Sequence, residues 1–595
     1  MTRNEIDKKY KWDMTAVFAS DADFLTEAKS VENEINGFDR FADKMVGSAE
    51  GLLSAVGALT AIHRRLEKLA DYASRSFDVD KTDNAKQALD GRVEDLYNRL
   101  GEHSSFFGGK ILEIGREKFE KWAKELPGLE AYRRTIEERL RYAPHTLGES
   151  EEKLLSTLSA SRGGCANAYS ILTDSDMKFG KIRGEDGRYT ELTDSNYVTF
   201  LMSSDRRVRK AAFDKMYETL GSFKNTIATI MNGFVKEQVA WAKARNYPSA
   251  MEASVFRDDV PVDICNNLID TVEENLGVLY RYYDLKRRML GLSKLHMYDL
   301  YPSIIADCDK RYEYDEAVPM VLEALAPLGK DYTDALKKGY ESGWVDVYPT
   351  PGKRGGAYSG GAYDTAPYML LNYNGTFDDV STLAHESGHS MHSYYSCKSN
   401  SFQNSGYTIF VAEVPSTVNE LLLANDRLAK ATDKKEKLFI LNQLLEVFKG
   451  TLFRQTMFAK FEKVLYSLCE SGETLTADLL CEKYYEIVKK YFGKDVVVDK
   501  AIACEWMRIP HFYYNFYVYK YATCISAAAA VVKHIEREGD AYVDKYKAFL
   551  SCGSSKSPLD SLMVAGIDLR SPEVVKDAIS LFSDLLDRFE AVLAE

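Results

Sequence analysis

Across most of its 595 residues the chain repeats apolar side chains every three or four positions. That spacing lines them along one stripe of a 3.6-residue helix, whereas a half-buried strand would alternate them. Residues 132–142 (YRRTIEERLRY), 205–220 (DRRVRKAAFDKMYETL) and 435–468 all carry the pattern. Prolines number only 14, and Pro127, Pro144, Pro248 and Pro261 stand where helices would end. No repeat of fixed period occurs, which argues against a solenoid. The expectation is a mainly α, multi-helical protein, long enough for at least two core-sized lobes.

Composition removes several function classes. Hydrophobic residues make up 45% and charged residues 28%, the balance of a folded chain rather than a disordered one. The net charge of −13 lacks the basic footprint that general nucleic-acid binding needs. The opening MTRNEIDKKYKWDM is polar, without the apolar core of a secretion signal. No apolar run reaches about 18 residues, so no membrane span is expected; Ala527 to Val532 is too short and reads as tight helix packing. The nine cysteines (Cys165, Cys265, Cys308, Cys397, Cys469, Cys481, Cys504, Cys524, Cys552) are odd in number and form no CxxC. That pattern predicts reduced thiols, no thiolate metal site and a cytoplasmic location. The oligomeric state is left open.

One stretch departs from the helical pattern. Residues 344–373 read WVDVYPTPGKRGGAYSGGAYDTAPYMLLNY, with five glycines from Gly352 to Gly361. Val345–Tyr348 and Tyr368–Tyr373 resemble short strands, giving a small sheet around a glycine-rich loop. It is either a plain surface hairpin or a sheet edge, with Gly360, Gly361 and Tyr368, that pairs with an extended peptide.

Directly afterwards comes NGTFDDVSTLAHESGHSMHSYY, holding three of the nine histidines, His385, His389 and His392. His385 to His389 form HExxH. On a helix, residues four apart differ by about 40° in azimuth, so both imidazoles can meet one metal. Glu386, one position on, reaches the water the metal activates rather than the metal. The flanks suit a helix: Asp378 or Asp379 can cap or charge its start, and Val380, Leu383 and Ala384 are apolar. Gly388 costs such a helix about 1 kcal/mol, which makes sense if another backbone passes close to that face. With this composition a random HExxH turns up in about one chain per hundred, so two incidental helix histidines remain the alternative.

A catalytic zinc takes three protein ligands and keeps a fourth position open. Downstream, SGYTIFVAEVPSTVNELLL offers Glu413 and Glu420, seven apart on nearly one helical face. Pro415 suits a first helical turn, placing Glu413 at a helix start as third ligand. Glu420, two turns on, is either a hydrogen-bond acceptor for a ligand histidine or a solvated carboxylate. His392 is the competing ligand. A second unusual run, EWMRIPHFYYNFYVYKYATC (505–524), is rich in tyrosine. Such a stripe is commonly core, yet five phenols each need a partner. Tyr514, Tyr517 and Tyr521 fall at i, i+3 and i+7, one helical face that could offer hydroxyls to a substrate carbonyl, with His511 beside them.

These residues carry a resemblance. The chain resembles oligoendopeptidase F, within the thimet-oligopeptidase-like family of zinc peptidases. The likeness includes YKWDMTAVFASDADF, GKRGGAYSGGAY, PYMLLNYNGTFDDVSTLAHESGH, FVAEVPSTVNE, RIPHFYYNFYVYKYAT and FLSCGSSKSPLDSLMVAGID, in order along almost the whole chain. It implies an N-terminal helical lobe, taken as 1–200, facing a helical catalytic lobe, 201–595, across a deep substrate cavity. It also implies one zinc on His385, His389 and Glu413, with Glu386 as general base. His511 and tyrosines of the following run would contact substrate or the developing oxyanion: Tyr517 and Tyr521 as catalytic donors, Tyr514 as a substrate contact. The spacing after His511 departs from the thimet members, which leaves the division of roles among these tyrosines open. Ser387 stands where relatives are often larger and apolar, and Cys524 where glycine is common.

The expected reaction is endopeptidase cleavage of short peptides, by water that zinc makes nucleophilic and Glu386 deprotonates. Two rivals remain. A zinc carboxypeptidase would need a carboxylate pocket, for which Arg508 is the nearby candidate, and a helical scaffold would carry HExxH by accident.

Overall fold

The structure, a computed structural model, describes residues 2–159, 161–305 and 310–595; of the cysteines, Cys308 lies outside the described residues. The chain is mostly helical with small sheets, as the periodicity predicts. Among the described residues no helix is long and apolar enough to cross a membrane. Two compact units emerge, Met1–Pro144 with Lys310–Asp426 and Val531–Ile567, and His145–Asp309 with Arg427–Ala530 and Asp568–Glu595. They do not follow the 1–200 and 201–595 division: residues 1–144 pack in the same unit as HExxH.

In the first unit, α1 (Ala49–Asp78) belongs to a core that includes Trp12, Phe24, Leu52, Leu66 and Leu100, together with Tyr368 and Leu370. The last two belong to a three-stranded sheet: β1 (Val345–Asp346), β2 (Tyr358–Gly360) and β3 (Tyr368–Leu370), in the order β1-β3-β2. β3 runs parallel to β1, with Val345 opposite Met369, and antiparallel to β2, with Gly360 opposite Tyr368. Tyr368, Met369 and Leu370 are all buried, which suits a central strand covered on both faces. The N-terminal segment ties onto this sheet. Val347 N donates to Tyr10 O at 3.0 Å, Tyr368 Oη donates to Asp13 O at 3.2 Å, and Arg3 pairs with Asp346 at 2.7 Å.

The HExxH segment lies on α2 (Phe377–Ser399). Its N-cap is Thr376, while Asp378 and Asp379 charge the first turn: Asp379 N donates to Thr376 Oγ1 at 3.2 Å, and the Thr376 amide donates to Asp379 at 2.8 Å. Ser359 of β2 and Ser390 of α2 share a hydrogen bond of 2.7 Å, so the sheet and the helix are directly joined. The next helix, α3 (Ile409–Lys430), begins six residues before Pro415, which therefore sits inside it rather than in its first turn. A proline there removes one backbone donor but leaves the helix running through.

Gly388 explains how α2 and α3 meet. A Cβ at this position would lie 2.4 Å from Pro415 O and 2.5 Å from Ser416 Cα. The backbone of α3 thus passes against α2 with no room for a methyl group, as the glycine within HExxH leads one to expect. Asn419, fully buried, fixes the register, its Nδ2 donating to Ala384 O at 3.0 Å while Oδ1 accepts from Tyr332 at 3.1 Å.

In the second unit, helices Lys224–Ala244, Arg454–Glu470 and Ala477–Phe492 dominate, and a parallel pair joins Leu295–His296 to Val496–Val497. Gly388→Ala is expected to destabilise the fold by about 1–3 kcal/mol, because the methyl group meets backbone that cannot swing aside. Urea unfolding checks it, and a variant as stable as wild type would show that α3 can retreat at little cost.

Candidate active site

His385 and His389 emerge from one face of α2, and Glu413 from the first turns of α3. Their ligand atoms form a small triangle. His385 Nε2 lies 3.2 Å from His389 Nε2, and Glu413 Oε2 lies 3.4 and 3.3 Å from the two histidines. A tetrahedral centre with bonds of about 2.0–2.1 Å separates its ligand atoms by about 3.3–3.4 Å. The triangle is therefore one face of such a tetrahedron, and these three are the metal-holding cluster among the described residues.

The electrostatics agree. Burial alone would lower the His385 pKa and raise that of Glu413. Each moves the other way, because Glu413 and Glu420 favour His385 in its protonated form while both histidines hold the Glu413 carboxyl well below its usual range. Without metal this cluster retains a proton that a cation must displace. Glu420 Oε1 lies 3.3 Å from His385 Nδ1. A proton held on Nδ1 and shared with Glu420 would leave the Nε2 lone pair facing the triangle.

Glu386 is 6% exposed, and its Oε2 has no hydrogen-bond partner. Burial raises its pKa, against the pull of His385 and His389. A buried carboxylate oxygen left free beside a metal-ligand triangle is the state a general base requires. His392 is no ligand: it is buried, stacked on Tyr407 at 3.6 Å, and burial brings its pKa down to about 3. Ser387, fully buried, donates to Leu383 O at 2.6 Å and shares a hydrogen bond with Tyr340, which explains a small polar side chain there.

Within the same unit runs a cleft of about 1040 Å³. Ser359, Gly360 and Gly361 form one wall; Ser393, Tyr394 and Cys397 of α2 form another. Val56, Leu59, Thr60, His63 and Glu67 come from one face of α1. Gly360 and Gly361 thus line this cleft. Tyr368 does not, being 2% exposed on the central strand with both neighbours paired. The sheet edge on this cleft is β2.

His511 and its tyrosines belong to the second unit, and the backbone there is not the continuous helix that the i, i+3, i+7 spacing predicts. Residues Pro510–Tyr513 form a 3₁₀ turn, Asn515 and Phe516 have left-handed φ of 52° and 56°, and a helix begins only at Tyr519. The rings gather all the same. His511 lies 5.5, 6.4 and 6.2 Å from Tyr514, Tyr517 and Tyr521, and Tyr517 lies 5.3 Å from Tyr521. Tyr514 is 55% exposed, whereas Phe512, Tyr513, Phe516 and Tyr519 are buried, so the run is part core and part open ring cluster. Burial lowers the His511 pKa, which favours the neutral imidazole.

Glu462, which no sequence signal marked, braces this turn. Its Oε1 accepts from Phe516 N at 2.7 Å, and Ser254 Oγ donates to Asn515 O at 2.6 Å. A bulky residue in the left-handed region persists only where its surroundings over-determine it.

The comparisons with known proteins agree with this fold and site. The model of Peptidase family M3 matches residues 199–581, and that of Oligopeptidase F matches residues 110–179. The chain is a metalloendopeptidase by fold and site, and it belongs to peptidase family M3. Oligopeptidase PepF of Bacillus subtilis is 41% identical over 99% of this chain and 88% of its own length. Group B oligopeptidase PepB of Streptococcus agalactiae is 36% identical over 100% and 98%. Among solved structures, a putative peptidase from Chlamydophila abortus superposes with a TM-score of 0.91 at 34% identity, covering 99% of both chains. Oligoendopeptidase-F from Enterococcus faecium superposes at 0.76 and 32%, covering 96% of this chain and 99% of that one.

Glu420→Gln is expected to weaken metal binding about 10–100-fold, measured by competition with a chromophoric chelator; unchanged affinity would show that Glu420 does not orient His385. A second expectation concerns Glu462, whose pKa burial pushes up to about 8. Between the unfolded value near 4.5 and about 8, folding must take up a proton, so this group favours the fold below that window and loses its contribution as pH rises through it. Relative to wild type, Glu462→Gln should therefore gain stability from pH 5 to pH 8, by up to about 1.4 kcal/mol per pH unit. Urea melts at the two values check it, and a pH-independent difference would mean that Glu462 ionises normally in the fold.

Proposed function

We propose that the protein is a zinc-dependent oligopeptidase that hydrolyses internal bonds of short peptides, with Glu386 as general base. The observation that carries this reading is the ligand triangle with edges of 3.2–3.4 Å beside an unpartnered, buried Glu386 oxygen. His385, His389 and Glu413 would hold the zinc. When bound, it supplies the Lewis acidity that brings the pKa of water toward neutrality and polarises the scissile carbonyl.

The chain's own residues do the rest. Glu386 takes the proton from the attacking water and returns it to the leaving amine. Its raised pKa suits both halves of that exchange. The open edge of β2 supports pairing with an extended peptide, whose backbone groups are the same whatever its side chains. Gly360 and Gly361 line the cleft, where a Cβ would meet Arg75 at 2.8 Å and Ala366 O at 2.4 Å, so close packing excludes side chains there. On the chemistry of their ring cluster, and on the family resemblance, His511, Tyr517 and Tyr521 are the proposed donors to the carbonyl oxygen, and Tyr514 a substrate contact. Removing one such donor costs about 2.7–4 kcal/mol of barrier.

The carboxypeptidase alternative loses its candidate pocket. Arg508 pairs with Asp194 at 3.0 Å and packs over Tyr197 at 4.9 Å, so its charge is already engaged. A cytoplasmic location is proposed on the eight described cysteines, all of which are free thiols.

The test is cleavage of a doubly blocked, internally quenched peptide of about eight residues by wild type and by Glu386→Gln, with zinc measured in both. Wild type should cut it, and the variant should lose at least about 4 kcal/mol of catalysis, or roughly a thousandfold, while keeping its zinc. Cleavage only of peptides with a free C-terminus would replace the endopeptidase with a carboxypeptidase.

A further inference from the structure

The second unit contains a cavity of about 230 Å³ that plays no part in the proposed cleavage chemistry. Leu279, Leu300, Phe453, Met457 and Phe492 form its apolar lining. Its polar lining is unlike ordinary core. Arg454 makes one hydrogen bond among the described residues, from Nη2 to Glu505 Oε1 at 2.6 Å, which leaves most of its five donors uncommitted. The Tyr283 ring is buried and stacked on Phe492 at 4.9 Å, and its hydroxyl is bonded to no described residue.

Charge completes the picture. Glu446 is shared between two ammonium groups, Lys286 at 2.7 Å and Lys449, and also accepts from Tyr282. One carboxylate therefore answers two cations; of these groups Lys449 and Glu446 itself line the cavity along with Arg454, while Lys286 does not. Buried excess positive charge is costly unless something pairs with it.

The backbone is special at the same place. Lys449–Phe453 form a π-helical turn, an insertion that breaks ordinary helical bonding and recurs at functional sites. Within it, Gly450 lines the cavity, and a Cβ there would meet nothing within 4 Å. A glycine in a helix interior costs about 1 kcal/mol, and no turn or close contact requires this one. What it does is leave the cavity open.

We propose that this cavity is a binding site for a small organic carboxylate with a compact apolar body, its head held by Arg454, Lys449 and Tyr283 and its body by the Leu279, Phe453 and Met457 side. Arginine suits the head because its planar fork matches a carboxylate bidentately.

The probe is 3-phenylpropionate, with its uncharged amide as control, titrated calorimetrically into the zinc-loaded protein. The carboxylate should bind saturably and at least about tenfold more tightly than the amide. Gly450→Leu, whose Cβ would meet nothing within 4 Å and whose branched end would occupy the cavity, should abolish binding. Lys449→Met, which keeps the apolar stem, should weaken the carboxylate about three- to tenfold and leave the amide unchanged. Absence of saturable binding to wild type overturns the proposal. So does equal affinity for acid and amide, or carboxylate binding that persists in Gly450→Leu, as binding to the zinc would. If Gly450→Leu does not fold, the acid-to-amide ratio in Lys449→Met decides: a ratio equal to that of wild type rejects the site.

Discussion

Everything at the catalytic centre depends on how closely two helices approach. The backbone of α3 lies against Gly388 with no space for a methyl group, and Asn419 anchors it to the carbonyl of Ala384, one residue before the first histidine. That contact sets the translation of α3 along α2 to within a fraction of a helical turn. Glu413 and Glu420, two turns apart on α3, are then delivered to opposite nitrogens of the His385 ring, one at Nε2 and the other at Nδ1. A slip of one residue along the helix would move both carboxylates by about 1.5 Å and rotate them by about 100°, and the triangle would be lost. The ligand geometry is thus a consequence of packing, and the helix-destabilising glycine is its condition.

The same unit supplies the surface on which a peptide can lie. β3 is occupied on both sides and buried on both faces, so it acts as the fixed rail of the sheet. β2 is the edge strand that lines the cleft, and it is bonded to α2 through Ser359 and Ser390 only one residue beyond His389. The cleft-lining edge strand and the His385–His389–Glu413 triangle are consequently positioned by one packed assembly.

Much of this was legible in the sequence, for identifiable reasons. HExxH declares its own helix, because only a period near 3.6 brings its two imidazoles together. A glycine inside such a motif announced a close neighbour, and the seven-residue spacing of Glu413 and Glu420 announced a shared face. What failed were inferences that needed three dimensions. Pro415 looked like a helix start because proline suits a first turn, yet the helix carries it internally. Tyr368 looked like an edge residue, since strand order cannot be read from the pattern of two short strands. The tyrosine run was assigned helical periodicity, but Asn515 and Phe516 turn it left-handed, and Glu462, the residue that stabilises the turn, lies 54 positions away. Asn419 carries no sequence signal either, because a buried amide between helices has no local signature.

The attachment of the N-terminal segment to the sheet has a consequence for how the chain comes to be folded. Tyr10, Trp12 and Asp13 find their partners in Val347, Tyr368 and Gly343, more than 300 positions along. During synthesis residues 145–309 are delivered after Tyr10, Trp12 and Asp13 and before any of those partners exists. At about 5–20 residues per second that interval lasts roughly 10–30 s. Throughout it the inner surface that Tyr368 and Leu370 will cover stays exposed. Contacts of such long sequence separation are slow to form. The segment around Tyr10 to Asp13 is therefore made long before it is secured, and a nascent chain of this kind passes through a period in which chaperone capture, or premature association with a neighbour, competes with completion of the fold.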